Sequence, residues 1–191
     1  MPADLPVVGF AGRAEWAAWL AAEHAASAGV WLRIARKDGG AESVSYSEAL
    51  DVALCHGWID GQKDRLDERF WLQRFTPRKP RSRWSKRNRE RAEALIASGE
   101  MGEAGLAEVE RARADGRWDA AYDSHSTATV PEDLQAQLAG NDAARAFFEG
   151  LDRTNRYAIL YRIQEARRPE TRARRIAKFV AMLSEGRKIH E

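Results

Sequence analysis

Residues 58–91 read WIDGQKDRLDERFWLQRFTPRKPRSRWSKRNRER, and the order of residue types in this stretch decides the fold of the N-terminal part. Phe70 to Phe75 is an aromatic and apolar run of the kind that suits a half-buried strand. Trp58 and the residues after it predict a partner strand, with Asp67-Glu68 as the turn between the two. Pro77 and Pro80 lack amide donors, so they stop the pairing and impose an extended connector. Ser85 then stands where a helix cap belongs. The spacing predicts a helix from about Ser85 to Ser98, with Ala92, Leu95 and Ile96 inward and Gly99 as its stop.

Working outward, residues 14–27 predict a first helix with Trp16, Trp19 and Leu20 on one face. Val30, Leu32 and Ile34 alternate as one side of a strand, and Lys37 to Gly40 is a turn. Ser45 and Glu48 form a capping box, because each side chain can satisfy the other's free amide. That box opens a helix striped by Tyr46, Ala49, Leu50, Ala53 and Leu54 and stopped by Gly57. A further helix is predicted over 103–115. All seven tryptophans precede residue 119. Residues 119–130 read as a linker, and the chain beyond them as three or four helices. Pro131 suits a helix start, Asp142 and Asp152 are candidate caps, and Pro169-Glu170 opens the last helix, striped by Ile176, Phe179, Val180 and Leu183. Tyr157, Leu160 and Tyr161 have core spacing. The expected fold class is α+β: a small antiparallel sheet of about three strands packed with helices (1–118), then a helical C-terminal part (131–191) packed on the first.

Composition narrows the function classes. Hydrophobic residues make up 44% and charged residues 31%, as in soluble globular proteins. The net charge of +2 comes from 31 basic and 29 acidic residues, so any strong field is local. Cys55 is the one cysteine, which excludes an intrachain disulfide and suits a reducing compartment. Met1 to Phe10 has no cationic signal-peptide region, and no apolar run reaches spanning length. A cytoplasmic protein without a membrane span is expected.

Between Arg74 and Arg91 stand nine Lys or Arg residues and one acid, Glu90. Lys86, Arg87 and Arg89 fall in the first turns of the Ser85 helix. A helix N-terminus is already positive, and each exposed cation there costs roughly 0.3–1 kcal/mol. Free amides with clustered arginines make a phosphate or carboxylate pocket, and Trp71, Phe75 and Trp84 could add flat walls. The plain alternative is a solvated face, or a strap neutralised by Asp60, Asp64, Asp67 or Glu68. The near-balanced charge argues against nucleic acid as a partner. The partners expected are an anionic small molecule or an acidic protein surface.

Elsewhere the chemistry is sparse. Cys55 and His56 are adjacent and diverge by about 100° on a helix, so they form no thiol–imidazole pair. Cys55 reads as a small core group, and His56 as an imidazolium favoured by a helix C-terminus. His24, His125 and His190 have no metal-ligand spacing, and no glycine-rich phosphate loop or nucleophile elbow occurs. Neither a metal nor another cofactor is expected. Arg167, Arg168, Arg172, Arg174 and Arg175 form a second basic patch.

Several strings carry a family pattern in order: Trp31; Tyr46-Ser47-Glu48-Ala49; Ala53 to Gly61; Arg74-Phe75-Thr76-Pro77-Arg78; Ser82-Arg83-Trp84-Ser85 with Asn88; Gly116-Arg117-Trp118 with Ala121-Tyr122; Val130-Pro131; and Thr171 to Ile176. Together they resemble the YdeI/OmpD-associated, or bacteriocin-protection, family; His56 departs from it, an aromatic being more usual there. The resemblance implies a bacterial, stress-linked protein and brings no catalytic residue with it. The expectation is a non-enzymatic binding protein whose anion pocket lies between the 58–75 hairpin and the helix near Ser85. Trp58, Asp60, Arg74, Arg78, Ser82, Arg83, Trp84, Ser85 and Asn88 are the candidate ligand-binding residues. Two alternatives stand beside it: an enzyme with Asp60 as general base on an anionic substrate, and a weak nucleic-acid binder.

Overall fold

Trp58–Arg65 and Phe70–Pro77 pair antiparallel as the predicted hairpin. Asp67 makes its turn, its Oδ1 accepting the amides of Arg69 and Phe70 at 2.8 Å each. The computed structural model describes residues 5–123, 128–166 and 168–190, and the chain divides into two units, residues 1–121 and 122–191. In chain order the first unit contains β1 (Val7–Gly9), α1 (Arg13–Glu23), β2 (Val30–Ala35), α2 (Tyr46–Cys55), β3 (Trp58–Arg65), β4 (Phe70–Pro77), α3 (Lys86–Ala97) and α4 (Glu103–Ala114).

The four strands lie in the order β1-β2-β4-β3. The sheet is mixed, because β1 runs parallel to β2 while the other pairs are antiparallel. The extra strand, β1, has only three residues, too few to show a period of two. The α+β class stands, with four strands in place of about three.

One sheet face builds the core. Val30 pairs with Phe75, so Val30, Leu32, Ile34 and Phe75 share a side, and all are buried with Trp58, with Trp16 and Leu20 of α1, and with Leu50 and Leu54 of α2. Two buried indoles satisfy their N–H groups on backbone: Trp16 donates to the Ala49 carbonyl at 3.0 Å and Trp58 to that of His24 at 3.1 Å. Helix α1 ends at Glu23, four residues short of Ser27. His24 turns its Nδ1 back onto the Leu20 carbonyl at 2.8 Å.

Helix α2 starts with the predicted capping box, Ser45 Oγ accepting from Glu48 N and Glu48 accepting from Ser45 N. It stops at Gly57, whose φ of 72° suits a residue without a side chain. Helix α4 packs closely on that end: a Cβ on Gly105 would lie 2.5 Å from the Leu54 carbonyl oxygen and 2.7 Å from that of Cys55.

The second unit consists of α5 (Glu132–Ala139), α6 (Asp142–Glu149), α7 (Arg153–Gln164) and α8 (Pro169–Ser184). Its core holds Leu134, Leu138, Phe148, Ile159, Ile163, Ile176, Phe179 and Leu183. Asp152 caps α7 through the Asn155 amide at 2.9 Å. The cap of α6 is Asn141, through the Ala144 amide at 3.0 Å, one residue before the predicted Asp142. Buried Asn155 holds the C-terminal segment, accepting from the amides of Ile189 and His190 at 3.0 and 2.8 Å. Among the described residues no helix is long and apolar enough to cross a membrane.

Candidate functional site

Asp60 pairs with Phe75 in the β3–β4 ladder, so it lies on the helix side of the sheet. There it meets the first turns of two helices. Tyr46, the first residue of α2, donates its hydroxyl to Asp60 Oδ2 at 2.8 Å. Asn88, whose amide is capped by Ser85 Oγ at 3.1 Å, extends its Nδ2 toward Asp60 Oδ1 at 3.4 Å. Arg91, one turn further along α3, reaches back to Ser47 and Asp51 of α2. A carboxylate facing two helix N-termini is favourably placed, because both ends carry partial positive charge. Burial, and then the Asp60 carboxylate, push the Tyr46 phenol above its ordinary range; Arg87 and Arg91 act the other way. Tyr46 therefore stays a hydrogen-bond donor.

Beyond Tyr46 the same sheet face becomes basic. A β-bulge lies between Asp60 and Lys63, and Lys63 pairs with Gln73 and Arg65 with Trp71. The extra residue resets the alternation, so Lys63 and Arg65 share the side of Asp60 and Trp71. The Lys63 ammonium lies 4.7 Å from the Trp71 ring centroid and 5.2 Å from that of Tyr46. An open cavity of about 490 Å³ follows, lined by Arg36, Lys63, Asp64, Arg65 and Trp71. Asp64 accepts the Arg65 amide at 2.8 Å, and Arg36 donates to the Asp67 carbonyl at 3.2 Å. Among the described residues, Lys63 and Arg65 have no carboxylate within ion-pair distance.

The nominated residues divide. Asp60 and Asn88 come together, and Ser85 supports Asn88. Arg74 pairs with Trp31 and so faces the opposite side of the sheet, its stem against Gly61. Arg78 is 5% exposed, with its guanidinium 3.5 Å from the Trp84 ring centroid and Nη1 donating to the Arg83 carbonyl at 3.2 Å. Ser82 Oγ accepts the Lys79 amide at 2.9 Å. Its carbonyl receives Arg117 Nη1 at 2.6 Å, and Arg117 also pairs with Asp115. Buried Arg78 and Arg117 thus pin the proline connector from within. Trp58 and Trp84 are each 1% exposed in the core, so neither ring offers a wall to a ligand, and half-buried Arg83 belongs to the connector. Sequence reasoning missed Tyr46, Lys63, Arg65 and Arg36. The bulge hid Lys63 and Arg65, since strict alternation would put Gln62 and Asp64 beside Asp60.

Cys55 is buried, and burial raises its thiol above the ordinary range, so it is an inert core group. His56 does sit at the end of α2, but burial first, and then His24 with its ring 5.1 Å away, lower its pKa. The imidazole is therefore favoured over the expected imidazolium. Among the described residues no three His, Cys, Asp or Glu side chains gather to hold a metal; His125 lies outside them. In the second basic patch, Arg172 pairs with Asp133 and Arg175 with Glu165, and Arg167 lies outside the described residues.

No curated protein and no solved structure matches the chain. Residues 8–108 match a family described as a domain of unknown function (DUF8412), and residues 127–186 match the family described as bacteriocin-protection, YdeI or OmpD-associated. Most of the strings that carried the resemblance, from Trp31 to Asn88, fall within the first match, and Val130-Pro131 with Thr171 to Ile176 fall within the second. The first match spans more than half of the chain, so the chain belongs to the DUF8412 domain family, and the second identifies residues 127–186 as a bacteriocin-protection, YdeI or OmpD-associated segment.

Proposed function

We propose that this chain is a cytoplasmic, non-enzymatic binding protein that holds an anionic ligand in the basic trough beside the β3–β4 hairpin, where Arg36, Lys63, Arg65 and Trp71 line an open cavity. The observation that carries the reading is the placement of Lys63 and Arg65 on one face with the Trp71 indole, without carboxylate partners among the described residues. Arg36 lines the same cavity and adds positive charge, and Asp60 ties the first turns of α2 and α3 through Tyr46 and Asn88. An anion seated there gains charge-assisted hydrogen bonds and a flat indole wall. A stress-linked role accords with the family's description as bacteriocin-protection.

The reading with Asp60 as general base is the weaker one. Both of its oxygens already receive donors from the protein, at 2.8 and 3.4 Å, which suits a positioning carboxylate. The test is thermal denaturation with inorganic pyrophosphate at low and high salt. Ligand binding raises the melting temperature by mass action, and the rise should shrink with salt as screening grows. Failure of pyrophosphate to stabilise the protein at low salt would refute the reading.

A further inference from the structure

We infer a second ligand site, in the helical unit, for a small monocarboxylate with an apolar body. Between α5, α6 and α7 lies a cavity of about 210 Å³ whose apolar lining comes from Val130, Leu138, Ala139 and Phe148. Arg156 of α7 lines it with its guanidinium 4.8 Å from the centroid of the buried Phe148 ring. The side chain is half-buried, yet among the described residues it makes no ion pair or hydrogen bond. The other arginine of the cavity, Arg145, already pairs with Asp142 at 2.7 Å. Glu149, the acid at the cavity wall, pairs with neither.

A partly desolvated guanidinium without an acceptor gains from a carboxylate, which matches its fork with two parallel hydrogen bonds. The apolar lining asks for carbon behind that carboxylate. A phosphate dianion fits less well, because its second charge would face apolar atoms and Glu149. Stacking on Phe148 alone would make Arg156 a stabilising residue with no ligand preference.

The experiment is calorimetric titration of the full chain with hexanoate, hexan-1-ol and inorganic phosphate, repeated on Arg156→Gln and Arg156→Lys. Hexanoate is expected to bind at least about 10-fold more tightly than either hexan-1-ol or phosphate, the value of a charge-assisted hydrogen bond. Arg156→Gln is expected to bring hexanoate down to the level of hexan-1-ol, with Arg156→Lys in between. Three results would overturn the inference: no hexanoate binding, equal affinity for acid and alcohol, or Arg156→Gln binding like the wild type. The acid–alcohol comparison on the wild type decides the matter even where a variant fails to fold.

Discussion

Arg78 and Lys63 each place a cation over an indole, Arg78 at 3.5 Å from the Trp84 ring centroid and Lys63 at 4.7 Å from that of Trp71. Arg78 is buried, and its guanidinium holds the backbone of the proline connector. Lys63 is exposed beside an open basic cavity. The two regions share a composition, and burial with a backbone acceptor separates them. A cation that closes on its own chain serves the fold, and one left facing water is available to a partner.

Arg78→Ala should have the largest effect. It removes the cation from Trp84 and leaves the Arg83 carbonyl without its donor, which should cost about 2–4 kcal/mol in a denaturant titration. A loss near zero would mean the connector does not depend on it. Gly105→Ala comes next. Alanine normally favours a helix interior by roughly 1 kcal/mol over glycine, but here its Cβ meets two α2 carbonyls. A net loss of about 1–3 kcal/mol is expected from overpacking, and a gain would contradict the close approach of α4.

Tyr46→Phe should cost about 1 kcal/mol, the net worth of the hydrogen bond to Asp60, and should weaken pyrophosphate binding without abolishing it. Stability and affinity measured on one preparation check both parts. On the trough itself, Lys63→Gln with Arg65→Gln should change stability by no more than about 0.5 kcal/mol, as surface substitutions do.

The expected pH effect is small and has a definite sign. His56 has a lowered folded pKa, so below the ordinary histidine value of 6.5 the unfolded chain binds the proton more readily. Its contribution to stability is present above that value and is lost as pH falls toward the folded pKa. After burial, His24 is the charged group that lowers it. Denaturation at pH 7.5 and pH 5.5 should show a loss that His56→Gln diminishes.

Much of the fold was legible because its signals are local. The Ser45–Glu48 box, the Asp67 turn, the Ser85 cap and the Pro169 start each depend on a few neighbouring residues. Strand β1 was not legible, since its evidence is its pairing with β2. The candidate site was half legible. Asp60, Ser85 and Asn88 stand out in the sequence as neighbours of a basic helix start, and the structure brings them together. Arg78, Trp58 and Trp84 look the same in sequence as ligand-binding residues, and only packing shows them turned inward. Lys63 and Arg65 were missed because a single bulge, a tertiary feature of the hairpin, reverses which side chains share a face.

We propose that the ligand's charge is met by Lys63 and Arg65 of the trough rather than by the arginines of the connector. Calorimetric titration of inorganic pyrophosphate into the wild type, Lys63→Gln/Arg65→Gln and Arg83→Gln tests it most directly. The trough variant should lose at least about 10-fold in affinity, and Arg83→Gln should bind like the wild type. Wild-type affinity in the trough variant, with loss in Arg83→Gln, would contradict the account and return the site to the connector.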